Sequence, residues 1–334
     1  MKLRIRKEVG IFLVAFAVVA FIFLIAYEAI DYWDRTTNTL ASSDNSQTTT
    51  GSSVIKIDGV SYTQKEHITT MLLLGIDNTG EMVSSGSYIN DGQSDFITVI
   101  VLDEDEDTYA LLQINRDTMT EVRQLGVGGN VVKTTVMQIA LSHSYGDGME
   151  DSCENSIIAV ENFLCGISLD HYLAMNMTAV ELLVDYVGGV TVTILDDFSE
   201  VDETLVFGET MTLTGSQVVT YIRARKNVGD QTNLTRMTRQ QQFISVLLEQ
   251  LPDLWAANQS SAFSMFYEVS SYILTDMTAQ SLSSFFDEIC GYDCTGIYSP
   301  DGELVLGDEY YEYYADEDSV KELVIELFLE PLSE

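Results

Sequence analysis

A three-layer α–β–α domain on a central mixed β-sheet, preceded by one transmembrane helix, is the fold this 334-residue sequence predicts. Two runs, Thr69–Ile76 (TTMLLLGI) and Phe96–Leu102 (FITVIVL), are nearly continuously apolar, as strands buried on both faces must be. Helical patterns interleave with such strands downstream, which calls for helices on both faces of one sheet. The N-terminus sets a basic segment before a long uncharged stretch.

That segment holds Lys2, Arg4, Arg6 and Lys7, and residues 9–27 then run without a charge. As a helix, 9–27 spans roughly 28 Å, close to the hydrocarbon thickness of a bilayer. Glu28, Asp31 and Asp34 follow, so the positive flank stays inside and the remainder lies outside the cell. The run is longer than a signal-peptide core and no small-x-small site follows it, which favours an uncleaved anchor. Residues 28–53 are polar and read as a flexible extracellular tether to a domain over 54–334.

Within the domain, Tyr109–Ile114 is the third strand, reached from the second by a polar turn of hairpin length over 103–108. Apolar spacing predicts helices over Val136–Tyr145 and Ser152–Leu164, with Gly166 as a stop. Tyr172–Asn176 is strand-like, Ala179–Val187 helical up to Gly188 and Gly189, and Val190–Leu195 strand-like again. Thr214 suits the N-cap of a helix over Gly215–Arg223, and Arg236–Gln250 is a longer helix closed by Pro252. From 251 to 334 the pattern is mostly helical, with a short strand near Gly296 and an amphipathic run over Ser319–Leu329, read as an extension of the same core.

A formal charge of -36 excludes nucleic acid as a partner, because phosphate-backbone affinity needs distributed Lys and Arg. Export permits disulfides, and of the three pairings open to four cysteines the local one is expected, Cys153 with Cys165 and Cys290 with Cys294. His67, His143 and His171 are scattered and read as ordinary polar or packed residues.

Against this acidic background, five of the twelve basic residues beyond the first eight positions crowd into one stretch: Arg223, Arg225, Lys226, Arg236 and Arg239. Cations gathered in an acidic chain call for an anion between them, and arginine favours a planar, phosphate-like one. Arg236, Arg239 and Gln240 share a face in the first turn of their helix, where a bound phosphate would offset the unfavourable dipole. The alternative is that these arginines pair with surface acids. Arg116 sits in the turn INRDT after the third strand. Asp77 closes the first strand and Asp95 opens the second, so antiparallel neighbours would bring both carboxylates to one edge. Two carboxylates with phosphate oxygens make a Mg²⁺ environment, and the alternative is a pair of loop-capping aspartates.

The ordered blocks LLLGID (72–77), QSDFITV (93–99), INRDTMTEV (114–122), GISLDHYLAMN to VGGVTV (166–192), LTGSQVVTYIRARK (213–226) and TRMTRQQQF (235–243) resemble the LytR–CpsA–Psr family over about residues 68–250. The resemblance implies a membrane-anchored phosphotransferase of Gram-positive envelopes. Such an enzyme moves a phosphoglycopolymer, wall teichoic acid or capsule or similar, from a polyprenyl-pyrophosphate carrier onto peptidoglycan. It implies Mg²⁺ at Asp77 and Asp95, and pyrophosphate contacts from Arg116, Arg223, Arg225, Arg236, Arg239 and Gln240. It also implies a hydrophobic tunnel for the carrier lipid. Two positions depart from the family pattern. Gln93 stands where the family often has arginine, and Asn233 stands where it often has an acid, leaving Asp230 as the expected base for the attacking hydroxyl. Two other functions use the same arginines: a polyprenyl-pyrophosphate hydrolase with water as acceptor, and a non-catalytic lipid- or glycan-binding regulator.

Overall fold

The computed structural model describes residues 54–90, 92–308 and 310–332 (251 and 253–266 by backbone alone), so the segment 1–8, the anchor 9–27 and the tether up to residue 53 lie outside the described residues. Among the described residues no helix is long and apolar enough to cross a membrane.

β1 (Ile55–Ile57) and β2 (Val60–Gln64) form a hairpin around Asp58 and Gly59. β3 (Ile68–Ile76), β4 (Ser94–Asp103) and β5 (Thr108–Ile114) follow as antiparallel neighbours. β6 (Met119–Leu125) and β7 (Val131–Gln138) make a second hairpin. The short α1 (Leu141–Ser144) and α2 (Glu150–Phe163) lead to β8 (His171–Asn176), α3 (Met177–Tyr186) and β9 (Val190–Thr193), which pairs with β10 (Thr210–Leu213). Then come α4 (Gly215–Arg223) and the long α5 (Asn233–Val269). A 3₁₀ turn (Ser270–Tyr272) leads to β11 (Ile273–Thr275), α6 (Ala279–Gly291) and β12 (Asp293–Tyr298). The hairpin β13 (Gly302–Leu306) and β14 (Tyr311–Ala315), α7 (Glu317–Phe328) and β15 (Leu329–Pro331) complete the chain.

The central sheet has six strands in the order β11-β8-β3-β4-β5-β12. It is mixed, with β8 parallel to β3 and β12 parallel to β5. Period-two alternation splits its side chains between two cores. Leu72, Leu74, Ile97, Val99 and Leu112 pack against Ala159 and Val160 of α2 and Val324 and Phe328 of α7. Met71, Ile100, Leu102 and Leu111 face Leu282, Phe285 and Ile289 of α6, with Ile244 and Leu248 of α5 beside them. That is the three-layer arrangement expected from strands apolar on both sides. A third cluster (Val184, Val190, Leu213, Val218, Tyr221, Phe243) fastens α3, α4 and the β9–β10 hairpin to α5. Each fully buried Leu, Ile or Val contributes about 1.5–3 kcal/mol.

Thr214 caps α4 as expected, in a full capping box with Gln217. Four expectations need correction. The helix placed over Val136–Tyr145 is the end of strand β7 followed by the four-residue α1. Val131, Thr134, Thr135 and Val136 are β-branched and pair with β6, which overrides the apolar spacing. Pro252 does not close its helix, because α5 runs on to Val269 with Pro252 exposed inside it, despite a cost of about 3 kcal/mol for the lost donor and the ring clash. The region after 251 is mostly helical but not helical alone, since it also supplies β11 and β12, which form both edges of the central sheet. All four cysteines are thiols. Cys153 and Cys165 stand at opposite ends of α2, roughly 16 Å apart along the axis, beyond the Cα separation a disulfide spans. Cys290 ends α6 and Cys294 enters β12, and they too remain unjoined.

His143 is packed, as the sequence suggested. It is buried in α1, with Nδ1 2.8 Å from the carbonyl oxygen of Gly92 and Nε2 lacking a partner. Burial drives its pKa down to about 4, against the pull of that hydrogen bond and of Asp147. An unfolded chain binds this proton near pH 6.5, so the neutral ring's contribution is complete above that pH and is lost as pH falls toward 4. Stability should drop by about 3 kcal/mol over that window from this group alone. A His143→Gln variant should show a flatter pH dependence of its denaturant midpoint, and an equal slope in both proteins would refute the assignment.

Candidate active site

The end of the β3–β4 pair carries the first charges. Gly75 pairs with Phe96 and Ile76 with Ser94, so Asp95 is an extra residue in β4, a β-bulge. A Cβ on Gly75 would lie 2.9 Å from Phe96 Cβ, so only glycine admits this close crossing. Strict alternation would send Asp95 to the α2 and α7 side with Ile97. The bulge lets its carboxylate reach α5 instead. Asp77 leaves β3 beside it, its N–H donating to the Gln93 carbonyl at 2.9 Å. Both carboxylates therefore sit at one end of one strand pair.

Three sequence-distant arginines converge on them. Arg116, in the turn after β5, is ion-paired through Nη1 to Asp95 Oδ1 and donates from Nη2 to Gln93 Oε1 at 2.6 Å. Arg236, in the first turn of α5, donates to Asp95 Oδ2 at 2.6 Å and to Asn233 Oδ1 at 2.8 Å. Arg223, at the end of α4, places Nε 2.6 Å from Asp77 Oδ1, with its side chain half exposed. Arg225 follows in the loop, its Nη1 4.0 Å from Asp117 Oδ2. Four guanidiniums thus meet three carboxylates: Asp77, Asp95 and Asp117. The acids that pair with these arginines belong to the cluster itself and are not scattered surface partners. Burial weakens the Arg236 charge, and Asp95 opposes that loss.

Polar atoms left without hydrogen-bond partners gather at the same place. Among the described residues nine buried side-chain atoms lack one, and six belong here: Asp77 Oδ1, Gln113 Oε1, Asn115 Nδ2, Arg116 Nε, Asp117 Oδ2 and Arg236 Nη2. Native proteins tolerate few such atoms, and a cluster of them calls for water, an ion or a ligand to complete it. Behind them opens an apolar cleft between the sheet and α3, α4 and α5, lined by Leu73, Phe96, Met175, Val180, Phe243 and Ile244. Asp95, Arg223, Arg236 and Gln240 line it as well, so charge stands at one part of a greasy wall. Gln240 is buried there, accepting from Gln113 Nε2 at 3.1 Å and donating to the Ile222 carbonyl at 3.3 Å.

Two expected site residues lie elsewhere in function. Arg239 is fully buried and turns away from the cleft, donating from Nε to the Tyr221 carbonyl at 2.8 Å. Its other nitrogens meet Asp196 and the Ala224 carbonyl, and its charge lies 5.4 Å from the Phe198 ring centroid. It clamps the C-terminal end of α4 and is not free to hold an anion, because all its donor edges are used inside the protein. Asp230 is exposed and serves the start of α5: Oδ1 accepts from Thr232 N at 2.9 Å, Thr232 Oγ1 at 2.7 Å and Thr235 Oγ1. Burial raises its pKa, but those hydrogen bonds outweigh it and hold the carboxyl below its ordinary value. A carboxylate so occupied is a poor base.

Three residues that sequence reasoning passed over, Asn115, Asp117 and Gln138, complete the cluster together with Asn233, which it named only as a departure from the family pattern. Asn233 Nδ2 donates to Asn115 Oδ1 at 2.7 Å while its oxygen holds Arg236, so the amide fixes the guanidinium without adding charge. The only signal for them was their position beside recognised residues, Asp117 after Arg116 and Asn233 three before Arg236.

Among the described residues no group of three or more His, Cys, Asp and Glu gathers as a metal cage. Two carboxylates do stand together, and Asp77 Oδ1 is a buried acceptor with no aligned donor. Such a pair suits Mg²⁺, which keeps waters and completes its shell with phosphate oxygens.

Comparison with known proteins adds to this geometry. The model of the LytR_cpsA_psr family matches residues 31–326. A Halalkalibacterium halodurans protein named polyisoprenyl-teichoic acid–peptidoglycan teichoic acid transferase TagU is 29% identical over 181 residues, which are 54% of this chain and 52% of that one. This chain thus spans about half the length of that relative. A Bacillus licheniformis protein of the same name is 26% identical over 264 residues, 77% of this chain and 76% of its own. The solved structure titled "TagT bound to LI-WTA" superposes with a TM-score of 0.58 at 20% identity, covering 78% of this chain and 90% of that one, which shows a shared fold.

Proposed function

Because the chain belongs to the LytR–CpsA–Psr family, we propose that it transfers a phosphoglycopolymer from a polyprenyl-pyrophosphate carrier onto peptidoglycan. One observation carries the reading: Arg116, Arg223, Arg225 and Arg236, drawn from three separate parts of the chain, meet beside an apolar cleft. A lipid diphosphate has this same division, a charged head joined to a hydrocarbon tail. The relatives named as teichoic acid transferases support the same class of substrate. Residues 9–27 would hold the domain at the bilayer where such a carrier resides.

In this reaction an acceptor hydroxyl attacks the phosphorus bonded to the glycan. The P–O bond to the bridging oxygen breaks, polyprenyl phosphate leaves, and the hydroxyl proton passes to water. Arg223 and Arg225, the more exposed pair, receive the diphosphate. Arg116 and Arg236, held by Asp95, Gln93 and Asn233, keep fixed positive charge where negative charge builds on the leaving oxygens. Little covalent chemistry is required of the protein, since positioning and electrostatics dominate phosphoryl transfer. Mg²⁺ at Asp77 and Asp95 would add charge neutralisation of the diphosphate oxygens. The carrier's hydrocarbon would lie along Phe96, Met175 and Phe243.

The test is incubation of the full chain in detergent with labelled lipid-linked glycan and peptidoglycan oligomers. A phosphodiester-linked adduct is expected. Free phosphate-terminated glycan without an adduct would make the protein a hydrolase, and carrier binding without turnover would make it a binding protein.

A further inference from the structure

Asp117 is a fully buried carboxylate for which the reaction just outlined gives no task. Oδ1 accepts from Gln138 Nε2 at 2.9 Å and lies 3.3 Å from Arg116 Nε. Oδ2 is 4.0 Å from Arg225 Nη1 and, though buried, receives no hydrogen bond. The residue is gripped from behind. Its N–H donates to Asn115 Oδ1 at 3.0 Å, and its carbonyl accepts from Tyr313 N at 2.8 Å in β14. Gln138 Nε2 also reaches the Tyr311 carbonyl at 2.7 Å, tying β7 to the β13–β14 hairpin at this point. The charged groups around it are Arg116 in its own turn, Arg225 after α4, Arg236 on α5 and Asp95 on β4.

Leaving a buried carboxylate oxygen unsatisfied is costly, so its neighbours must gain from it. We propose that Asp117 is a positioning residue that orients the Arg116 and Arg225 guanidiniums toward the donor diphosphate, with Gln138 fixing the carboxylate from the far side. The inference rests on the transferase reading and deepens it. Burial also raises the Asp117 pKa above the ordinary carboxylate value, against the lowering pull of Arg116 and Arg225. The two arginines are then held by a carboxylate that solvent does not reach.

Two effects of neutralising it pull apart. Removing a negative charge beside four arginines leaves donor KM unchanged or lower, while the loss of orientation lowers kcat. In the full chain in detergent, Asp117→Asn is expected to reduce kcat by about 10–100-fold, the scale on which misplacing a reacting group acts. The cycle with Arg225→Ala is expected to be non-additive, the double variant losing less than the product of the two single losses because only the effect through Arg116 remains. If Asp117→Asn does not fold, Gln138→Leu carries the same comparison, with a smaller kcat loss that shrinks in the Arg225→Ala background. Folded Asp117→Asn with kcat within twofold of wild type, or strict additivity with Arg225→Ala, overturns the role of Asp117 alone. Wild-type protein that neither binds geranylgeranyl pyrophosphate in calorimetry nor transfers glycan overturns the transferase reading and this role with it.

Discussion

Arg116→Ala is expected to slow glycan transfer by about 10²–10³-fold, equivalent to roughly 3–4 kcal/mol of barrier. Arg116 is held on several sides at once, by Asp95, by Gln93 and by the neighbouring Asp117. A guanidinium so fixed needs no reorganisation as charge develops on the leaving phosphate, and that is where a fixed cation has its largest effect. Lysine at this position would keep the charge and lose the fork, so Arg116→Lys should recover only part of the rate. Arg223→Ala is the companion variant, since that side chain is half exposed and its removal leaves the core untouched. Both are read by transfer of labelled lipid-linked glycan to peptidoglycan oligomers. Turnover at wild-type level in either would remove the arginine cluster from the chemistry.

The largest stability effect is expected from the arginine outside the cleft. Arg239→Ala would leave Asp196 without its guanidinium and strip donors from the Tyr221 and Ala224 carbonyls. Breaking a buried pair from one side costs about 3–5 kcal/mol. For a domain of this size the unfolding midpoint should fall by on the order of 10 °C. Differential scanning calorimetry reads this directly. A shift of only a degree or two would deny the clamp. Transfer per folded molecule should stay within a few-fold of wild type below the new transition, and a loss as deep as that of Arg116→Ala would return Arg239 to the diphosphate.

The contrast between Arg236 and Arg239 shows what the sequence could and could not say. Both lie on neighbouring positions of one helical face, and face alone cannot tell which of two cores a long side chain enters. Arg236 turns to the bulged Asp95, and Arg239 to the end of α4. The bulge that decides this depends on one extra residue in β4, which an apolar run such as FITVIVL does not reveal. β3, β4, β5, β8 and α4 were legible because burial on both faces, or a capping threonine, writes itself locally. β7, β11, β13 and β14 were not, because short or exposed strands carry mixed residues and owe their pairing to distant partners. Asn115, Asp117 and Gln138 were hidden for a similar reason, as was the role of Asn233: buried polar residues and loop polar residues are the same letters. Asp230 was drawn in by chain proximity to the arginines, which the hydrogen bonds to Thr232 and Thr235 outweigh.

The order of strands in the central sheet also bears on how the polypeptide matures. Its outermost members, β11 and β12, are contributed by residues beyond 272, while the inner four are complete by residue 176. A nascent chain emerging N-terminus first therefore presents two bare hydrogen-bonding rims on a nearly finished sheet until the residues beyond 272 arrive. β15 then pairs with β2, so closure of that small sheet waits on residues 329–331. During that interval the unfinished rims are open to pairing with other chains, which makes escort by a holding factor most valuable late in translation.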